Sequence, residues 1–466
     1  MISSPSAASK LLSTSTHSDL LDQSALATLA QRLVEAARRA GADTADAVAV
    51  RGVSQGVEVR DGRVEESERS EGDDVGLRVL VGRRQAVVST NDTGGNAVIK
   101  LAERAVAMAR VAPEDPYAGL ADPALLAHQF PDLDMLDPVT PSVTELERRA
   151  REAEAAGLAV KGVTRSSGAS ASAGIGGMVL VTSTGFHGAY LRSSHSISMT
   201  AIAGDGTAME RDYDYTSAQH AADLASPDSV GRKAGERAVA RFGPRKVATC
   251  KVPVVYDPRV SNSLVGHLVA AANGASIARK TSFLKDRLGQ QLFNNNIRIV
   301  DDPLRARGLR SQPFDAEGVR VKKLAIIDHG VLTSWLLDSA TARELGMITT
   351  GHAHRGVSSA PSPGSYNLHL EAGELTPAEL MSDIRQGFYV TDLIGSGVNG
   401  VTGDYSRGAS GFWIENGEIS YAVSEMTIAG HLLEMFKSLT PANDLEFRYG
   451  VNAPTLRIEG LTVGGR

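Results

Sequence analysis

Residues 388–423, FYVTDLIGSGVNGVTGDYSRGASGFWIENGEISYAV, contain short runs typical of β-strands, separated by loops rich in glycine and asparagine. The same pattern begins near Lys246 and continues through the C-terminal half of the chain. Its predicted strands are Val252–Tyr256, Leu324–Asp328, Val331–Leu337, Phe388–Leu393, Gly411–Glu415 and Glu418–Val423. The main predicted helices are Asn262–Ile277 and Ile428–Leu439. This half therefore predicts a glycine-rich, β-dominated domain with a few helices, built as a curved sheet or an open barrel.

The N-terminal half has a different pattern, in which helices alternate with groups of strands. Ser24 is the predicted cap of a helix that Gly41 closes, and Thr144 with Glu147 matches a capping box for a second helix. The other predicted helices are Asn96–Ala112 and Ser229–Phe242. The predicted strands are Val57–Arg60, Arg63–Glu71, Leu77–Val81, Ala86–Ser89, Gly174–Leu180, Gly188–Arg192 and Ile197–Ala203, the first two joined by an Asp61-Gly62 turn.

These patterns predict an α+β protein of two domains, with N-terminal helices packed on a mainly antiparallel sheet. We expect a flexible tail over residues 1–20, an N-terminal domain over 21–244 and a C-terminal domain over 245–466.

The composition of the chain argues against several classes of function. The formal net charge is −6, so no general basic field would draw the chain to nucleic acid or to an anionic membrane. No stretch approaches the roughly 18 consecutive apolar residues that a membrane-spanning helix needs. The single cysteine, Cys250, excludes an intrachain disulfide and fits a reducing compartment. We expect a cytoplasmic protein that binds neither nucleic acid nor membrane.

Two short strings match catalytic or cofactor motifs but lack the context that the chemistry needs. Gly52–Gly56 matches the nucleophile-elbow pattern around Ser54, yet a strand follows it where the motif needs a helix. Gly395–Gly400 matches the dinucleotide pattern, and the glycine-rich segment after it is not a helix whose N-terminus could face a pyrophosphate. Both strings predict strands or tight loops.

A metal site of the usual helical kind is also missing. None of the eleven histidines is followed by glutamate, which excludes every His-Glu-x-x-His variant. His352 and His354 are the best remaining pair, because residues two apart share a face in an extended segment. No third ligand is evident, and ordinary polar loop residues are the alternative. Cys250 lies next to Lys251, but no partner for a reactive thiol is indicated.

A series of spaced strings in the C-terminal half resembles the TldD/PmbA peptidase family. The strings are SIARKTSFLKDRLG at 276–289, DDP at 301–303, FDAEG at 314–318, GMITTGHAHR at 346–355, NGVTGDYSRGASG at 399–411, WIENG at 413–417, EMTIAG at 425–430 and APTLRIEGLTVGG at 453–465. A weaker match near Asp61–Arg63 and Gly76–Thr90 extends the resemblance into the N-terminal half. Within the family, the chain is most similar to the PmbA (TldE) type, also known as modulator of DNA gyrase.

The resemblance implies a two-domain protein that dimerises with a TldD-type zinc metallopeptidase acting on unfolded or short peptides. In the zinc-binding members, a His-Glu-x-x-x-His helix precedes the segment that resembles Thr281–Leu284. The matching helix here, Asn262–Ile277, has only His267, and the stretch Asn443–Val451 lacks the cysteine ligand of those members. The resemblance thus implies no catalytic residue and no cofactor in this chain, with zinc held by the TldD-type partner.

Polar residues within the glycine-rich strings are the candidates for a peptide cleft, since such loops often carry binding sites. They are Asp315, Glu317, Thr350, Arg355, Asp404, Ser406 and Arg407. The alternative for each is that it only satisfies backbone groups of a tight loop. A strand edge of the C-terminal domain could hold an extended peptide by main-chain hydrogen bonds.

Two other functions stay open at this stage. The chain could be an autonomous metallopeptidase with a non-standard site at His352 and His354, or a non-enzymatic modulator of DNA gyrase.

Overall fold

The N-terminal part of the chain is a six-stranded antiparallel sheet in the order β3-β2-β1-β4-β5-β6, seen here in a computed structural model that describes residues 22–465. The predicted tail, residues 1–20, lies outside the described residues. The strands are β1 Thr44–Arg60, β2 Arg63–Val81, β3 Arg84–Thr90, β4 Val163–Thr182, β5 His187–Ala203 and β6 Glu210–Ala218. The helices are α1 Ser24–Arg39, α2 Gly95–Val111, α3 Val143–Leu158 and α4 Pro227–Ala240, with 3-10 turns at Pro123–Leu125, Gly206–Ala208 and Ala221–Asp223.

Helices α1 to α4 all pack on one face of this sheet. Alternate strand residues point to the same face, so Ala45 and Ala47 of β1 lie under α1 and α2, while Val57 and Val59 lie under α3 and α4. Val48 points to the opposite face, which packs at that end against the C-terminal domain.

The predicted helices and strands are present, but several boundaries were wrong. The Asp61-Gly62 turn is confirmed as the connection between β1 and β2, although both strands are far longer than predicted. The N-cap position of helix α1 is Gln23 instead of Ser24, and its side chain forms no capping hydrogen bond. The capping box at Thr144 is also wrong, because the Ser142 hydroxyl accepts the hydrogen bond from the Glu145 amide.

The C-terminal part is built mainly from strands. They are β7 Cys250–Tyr256, β8 Ile299–Asp301, β9 Leu324–Asp328, β10 Val331–Leu332, β11 Ala353–His354, β12 Ser362–Pro363, β13 Leu368–Leu370, β14 Gln386–Ile394, β15 Asp404–Glu415, β16 Glu418–His431, β17 Thr440–Pro441, β18 Val451–Asn452 and β19 Leu456–Gly464. The helices are α5 Pro258–Ala271, α6 Gly274–Ala278, α7 Ser339–Glu344, α8 Pro377–Met381 and α9 Leu432–Lys437.

Strands β16, β15, β14, β7 and β19 form a closed barrel. The closure is the antiparallel pairing of β16 with β19, in which Ile428 lies opposite Val463. The β-dominated C-terminal domain is confirmed, and its barrel is closed rather than open. The helix predicted from Ile428 starts only at Leu432, because residues 428–431 complete β16. A second sheet follows the order β10-β9-β8-β13-β18.

An aromatic cluster joins the two domains. The Phe314 ring lies 5.2 Å from Phe186, 5.6 Å from Tyr190 and 5.0 Å from Phe130, measured between ring centroids. Apolar packing of this kind, with Phe314 fully buried, holds the domains together. Within residues 22–465, no helix has the length and apolar character needed to cross a membrane.

Candidate functional site

Helix α5 is the element on which the family resemblance places zinc ligands. Asp257 caps its N-terminus by accepting a hydrogen bond from the Arg259 amide, and Pro258 occupies the first turn, where no amide donor is needed. Leu264 and Leu268 anchor the helix in the main core of the C-terminal domain. This arrangement presents His267 toward the barrel strand β15.

Four polar side chains meet between helix α5 and the barrel, and we call them the His267 cluster: His267, Tyr256, Tyr405 and Arg407. The His267 and Tyr405 rings are 6.1 Å apart and nearly perpendicular. Tyr256 ends β7 and is fully buried, and Tyr405 is 1% exposed. The two tyrosine hydroxyls and the Nε2 atom of His267 are buried and form no well-aligned hydrogen bond within residues 22–465. Such groups are rare in folded proteins.

The His267 cluster contains one positively charged side chain, Arg407, and no carboxylate. Burial, reinforced by Arg407, lowers the pKa of His267 to about 4, so the imidazole is neutral at neutral pH. Burial raises the pKa of Tyr256 well above its usual value, and the nearby Tyr405 adds to this effect even though their hydroxyls do not form a well-aligned hydrogen bond. Arg407 donates from Nε to the Ile394 carbonyl at 3.3 Å and forms no ion pair with any carboxylate in residues 22–465.

The residues around helix α5 do not fit a zinc ion. Zinc sites need three or four nitrogen, sulfur or oxygen ligands, and α5 offers one histidine. The structure does bring the two expected ligand regions side by side, because Ser261 donates to the carbonyl of Ala453, just after the cysteine-free stretch. The described part of the chain contains no group of three or more His, Cys, Asp or Glu that could hold a metal.

Two of the predicted cleft residues, Glu317 and Arg355, lie in a buried ionic contact between the domains. Arg355 donates to Asp46 of β1 at 2.5 Å, and Arg78 of β2 donates to the same carboxylate from Nε at 2.8 Å. Glu317 lies 4.0 Å from Arg78 and accepts a hydrogen bond from the Ser339 amide at 2.8 Å. All of these charged side chains are almost fully buried. The prediction that Glu317 and Arg355 line an open cleft is therefore corrected, since both join the two domains.

Two further predicted cleft residues hold loops in place. Asp315 is fully buried, and its carboxylate accepts from the amides of Glu317, Val319 and Ala353 at 2.8–3.2 Å. The Thr350 hydroxyl accepts from the Leu337 amide at 2.8 Å. These contacts do not place either side chain on an open cleft. Both side chains satisfy backbone groups of tight loops, which is the alternative given for them above.

The pKa of Asp46 is shifted downward, whereas the pKa values of Asp315 and Glu317 are shifted upward. Burial alone would raise the pKa of Asp46, but Arg355 and Arg78 together keep it below its usual value. Burial raises the pKa of Asp315, with the neighbouring Glu317 carboxylate adding to the rise. Burial likewise raises the pKa of Glu317, although Arg78 opposes the shift.

His352 and His354 both pack against Tyr366, with ring centroids 5.3 Å and 4.6 Å from it. The Nδ1 atom of His352 is 2.9 Å from the Thr350 carbonyl, and its Nε2 atom is 3.5 Å from Asp301. Burial lowers the pKa of His354 to about 4. These contacts are those of a packed core.

Asp404, Ser406 and Arg407 all lie on β15, where strand alternation directs Asp404 and Ser406 to one face and Arg407 to the other. The side chains of Asp404 and Ser406 are exposed, and Arg407 is half-buried. Gly397 lies so close to this strand that a Cβ atom there would be 1.6 Å from the Ser406 carbonyl oxygen. The glycine-rich loop is thus pressed against β15. No hydrogen bond or ion pair between described residues links this group to Asp315, Glu317, Thr350 or Arg355.

The remaining motifs behave as the sequence indicated. Ser54 lies inside strand β1, and Gly395–Gly400 is a loop between β14 and β15. Burial raises the pKa of the Cys250 thiol, which disfavours the reactive thiolate.

Sequence reasoning did not identify Asp46, Arg78, Tyr256 or Tyr405. A signal for the first two was available, because each is a charge within an otherwise apolar strand, and such a charge is usually paired when buried. No sequence pattern marks the two tyrosines. They come close together only when β7 and β15 form the barrel.

Comparison with known proteins extends the resemblance over most of the chain. Family models described as PmbA/TldA metallopeptidase domain 1, central domain and C-terminal domain match residues 45–109, 136–242 and 249–465. A protein of Escherichia coli O157:H7 named metalloprotease PmbA is 39% identical over 412 residues, which cover 88% of this chain and 90% of that protein.

Two solved structures have the same fold. A crystal structure from Bacteroides thetaiotaomicron, described as that of a proposed modulator of DNA gyrase, matches with a TM-score of 0.87 and 26% identity, covering 94% of this chain and 98% of the other. TldE from Thermococcus kodakarensis matches with a TM-score of 0.82 and 17% identity, covering 94% of this chain and all of the other, which shows likeness of fold alone.

Proposed function

The chain belongs to the TldD/PmbA metallopeptidase family, and we propose that it is a PmbA-type subunit with no zinc site of its own. In this proposal, a TldD-type homologue holds the zinc and performs hydrolysis. The present chain supplies an interface and part of the channel through which peptides reach the partner for proteolysis or maturation.

The observation that carries the proposal is the His267 cluster on helix α5. One neutral histidine stands where the resemblance implies a ligand pair and a catalytic glutamate, and two buried tyrosines fill the space beside it. The guanidinium of Arg407 acts on the same histidine, and a fixed positive charge there opposes the binding of a dication. A metal would otherwise supply the activated water that peptide hydrolysis of this kind requires.

We further propose that Asp404, Ser406 and Arg407 contact the peptide. Arg407 has donor groups left over after its contact with the Ile394 carbonyl, and a guanidinium suits a peptide carboxylate. Asp404 and Ser406 are exposed on the other face of the same strand and would contact a second part of the peptide.

A role linked to DNA gyrase is a second candidate, since a similar structure carries that description. We propose that any such effect is indirect and arises from processing peptides that act on gyrase, because the net charge of −6 disfavours direct DNA binding.

Reconstitution of peptide cleavage tests the proposal. The purified chain, a TldD-type homologue and their mixture are each incubated with a fluorogenic unfolded peptide. We expect the chain alone to be inactive and the mixture to cleave. Arg407→Ala should weaken cleavage by the mixture, whereas Arg385→Ala, which changes an exposed arginine, should not. Cleavage by the chain alone would overturn the proposal.

A further inference from the structure

Strand β2 has a long edge with no neighbouring strand. β1 pairs with β2 along nearly its whole length, but β3 pairs only with Val75–Val81. Within the described chain, no strand lies beside the outer edge of Arg63–Asp74. Nearly all side chains of this segment are exposed. Such an edge presents unpaired backbone N–H and C=O groups, and twelve extended residues span about 40 Å.

The open edge is held rigidly. Glu154 of α3 is buried, and its two carboxylate oxygens accept from the amides of Asp61 and Gly62 at 3.0 and 2.8 Å. Arg151 of the same helix donates to the Gly62 carbonyl. The β1–β2 turn is thereby fixed to α3, so an added strand would meet a preformed partner and lose less free energy to ordering.

In the C-terminal barrel, β16 pairs with β19 only over Thr427–Ala429, and the preceding part of β16, from Glu418, has a single bridge from Val423 to Arg245 beside it. This C-terminal edge is shorter than that of β2, which is open over twelve residues. The barrel loops at β15 remain a separate contact surface.

Charges along this edge are unevenly matched. The segment Arg63–Asp74 contains six acidic and two basic residues. Three of its acids form ion pairs within the sheet: Glu65 with Arg60, Glu71 with Arg69 and Asp73 with Arg51. Other acidic residues of β2 and of the neighbouring β1 form no ion pair within the described chain.

Glu58, Glu66 and Glu68 form an unmatched acidic group near the turn end of this edge, and Asp74 at its other end also has no ion pair within the described chain. Glu58 of β1 lies directly opposite Glu66, and its neighbours Val57 and Val59 point toward the helices, so this acidic pair lies on the other face. Like charges directly opposite each other destabilise a sheet. None of the three forms an ion pair with a basic residue of the described chain. A basic ligand would relieve this repulsion.

We propose that the outer edge of β2, Arg63–Asp74, binds an extended peptide that carries basic side chains at alternate positions. This inference rests on the proposed peptide-handling function and gives it a substrate class. Main-chain hydrogen bonds would add the peptide as a seventh strand in line with β3, with little dependence on its sequence. The acids Glu58, Glu66 and Glu68 would select basic side chains on one face.

The test uses the full chain and two fluorescein-labelled probes of twelve residues, one alternating lysine with threonine and one alternating glutamate with threonine. Fluorescence anisotropy should show binding of the lysine peptide that weakens as salt is added, and no binding of the glutamate peptide. Replacing Glu58, Glu66 and Glu68 together by glutamine should weaken lysine-peptide binding roughly tenfold. A matched triple variant, with glutamine at the exposed helix positions Glu35, Glu103 and Glu236, should change it by less than about twofold.

Proline substitution tests the backbone contact separately. Successive strand residues direct their N–H groups to opposite edges of the strand. Ser67 and Ser70 are three residues apart, so Ser67→Pro and Ser70→Pro each remove an N–H group from a different edge of β2. One variant should keep the wild-type thermal unfolding and lose peptide binding, and the other should lose stability by breaking the pairing with β1.

Equal binding of both peptides, or full binding by the stable proline variant, would overturn the inference. It would also fall if the triple variant at Glu58, Glu66 and Glu68 lost the TldD-type homologue instead of the peptide. In either case cleavage by the reconstituted mixture could still succeed, so failure of this inference is distinguishable from failure of the proposed function.

Discussion

At the residue scale, His267 is the side chain on which the functional assignment depends most. It is the one histidine of helix α5, and burial beside Arg407 keeps it neutral. A histidine held neutral by burial affects stability in a defined pH window, and this gives a direct test of its environment.

We predict that His267→Gln removes part of the acid sensitivity of folding. The pKa of His267 is about 4 in the folded chain and 6.5 in its ordinary state, so the unfolded chain binds the proton more readily between these values. Stability therefore falls as the pH decreases through this window. Urea unfolding should show the wild type losing roughly 2 kcal/mol more than the variant between about pH 7 and about pH 4. Equal pH profiles would show that His267 is not buried in this way.

The pairing of Asp46 with Arg78 and Arg355 makes a second prediction at this scale. Asp46→Asn leaves two buried guanidinium groups without their carboxylate, which should cost about 3 kcal/mol or more in the free energy of unfolding. Asp286→Asn, at an exposed position, should change it by less than about 0.5 kcal/mol. Urea unfolding at neutral pH measures both, and a small effect of Asp46→Asn would contradict the buried ionic contact.

At the scale of single elements, periodicity predicted which segments are helices and strands better than where they end. The strands predicted over Arg63–Glu71 and Leu77–Val81 are one continuous strand, Arg63–Val81, because β1 pairs along the whole of it. The apolar run from Ile428 suits a helix or a strand equally, and closure of the barrel onto β19 decides in favour of a strand. Long-range pairing of this kind leaves no local pattern in the sequence.

Helix α3 allows the corrected cap to be tested. Ser142→Ala removes the hydroxyl that accepts from the Glu145 amide and should lower the free energy of unfolding by about 1 kcal/mol. Thr144→Ala, the originally predicted cap, is exposed within the helix and should have an effect below about 0.5 kcal/mol. Thermal or urea unfolding of the two variants side by side decides between the caps. A larger loss for Thr144→Ala would restore the sequence-based cap.

At the scale of the whole molecule, the strings that reveal the family lie around helix α5, whose single histidine supports the proposal that the chain holds no zinc. The sequence alone motivates this proposal, because the residue types at the expected ligand positions can be read without coordinates. It was not sufficient for the candidate cleft, since Asp315, Glu317 and Arg355 reach buried positions only when separate loops and the N-terminal sheet come together. Polar residues in glycine-rich strings thus divide into those that join the domains and those on β15 that stay accessible.

The central claim is that this chain has no zinc site of its own, and metal analysis of the purified protein tests it most directly. The chain and a TldD-type homologue are purified separately, incubated with zinc and passed through a desalting column before zinc is measured by mass spectrometry. The account predicts far less than one zinc per molecule of this chain and about one per molecule of the homologue. One tightly held zinc per molecule of this chain, lost on His267→Ala or on His352→Ala, would contradict it.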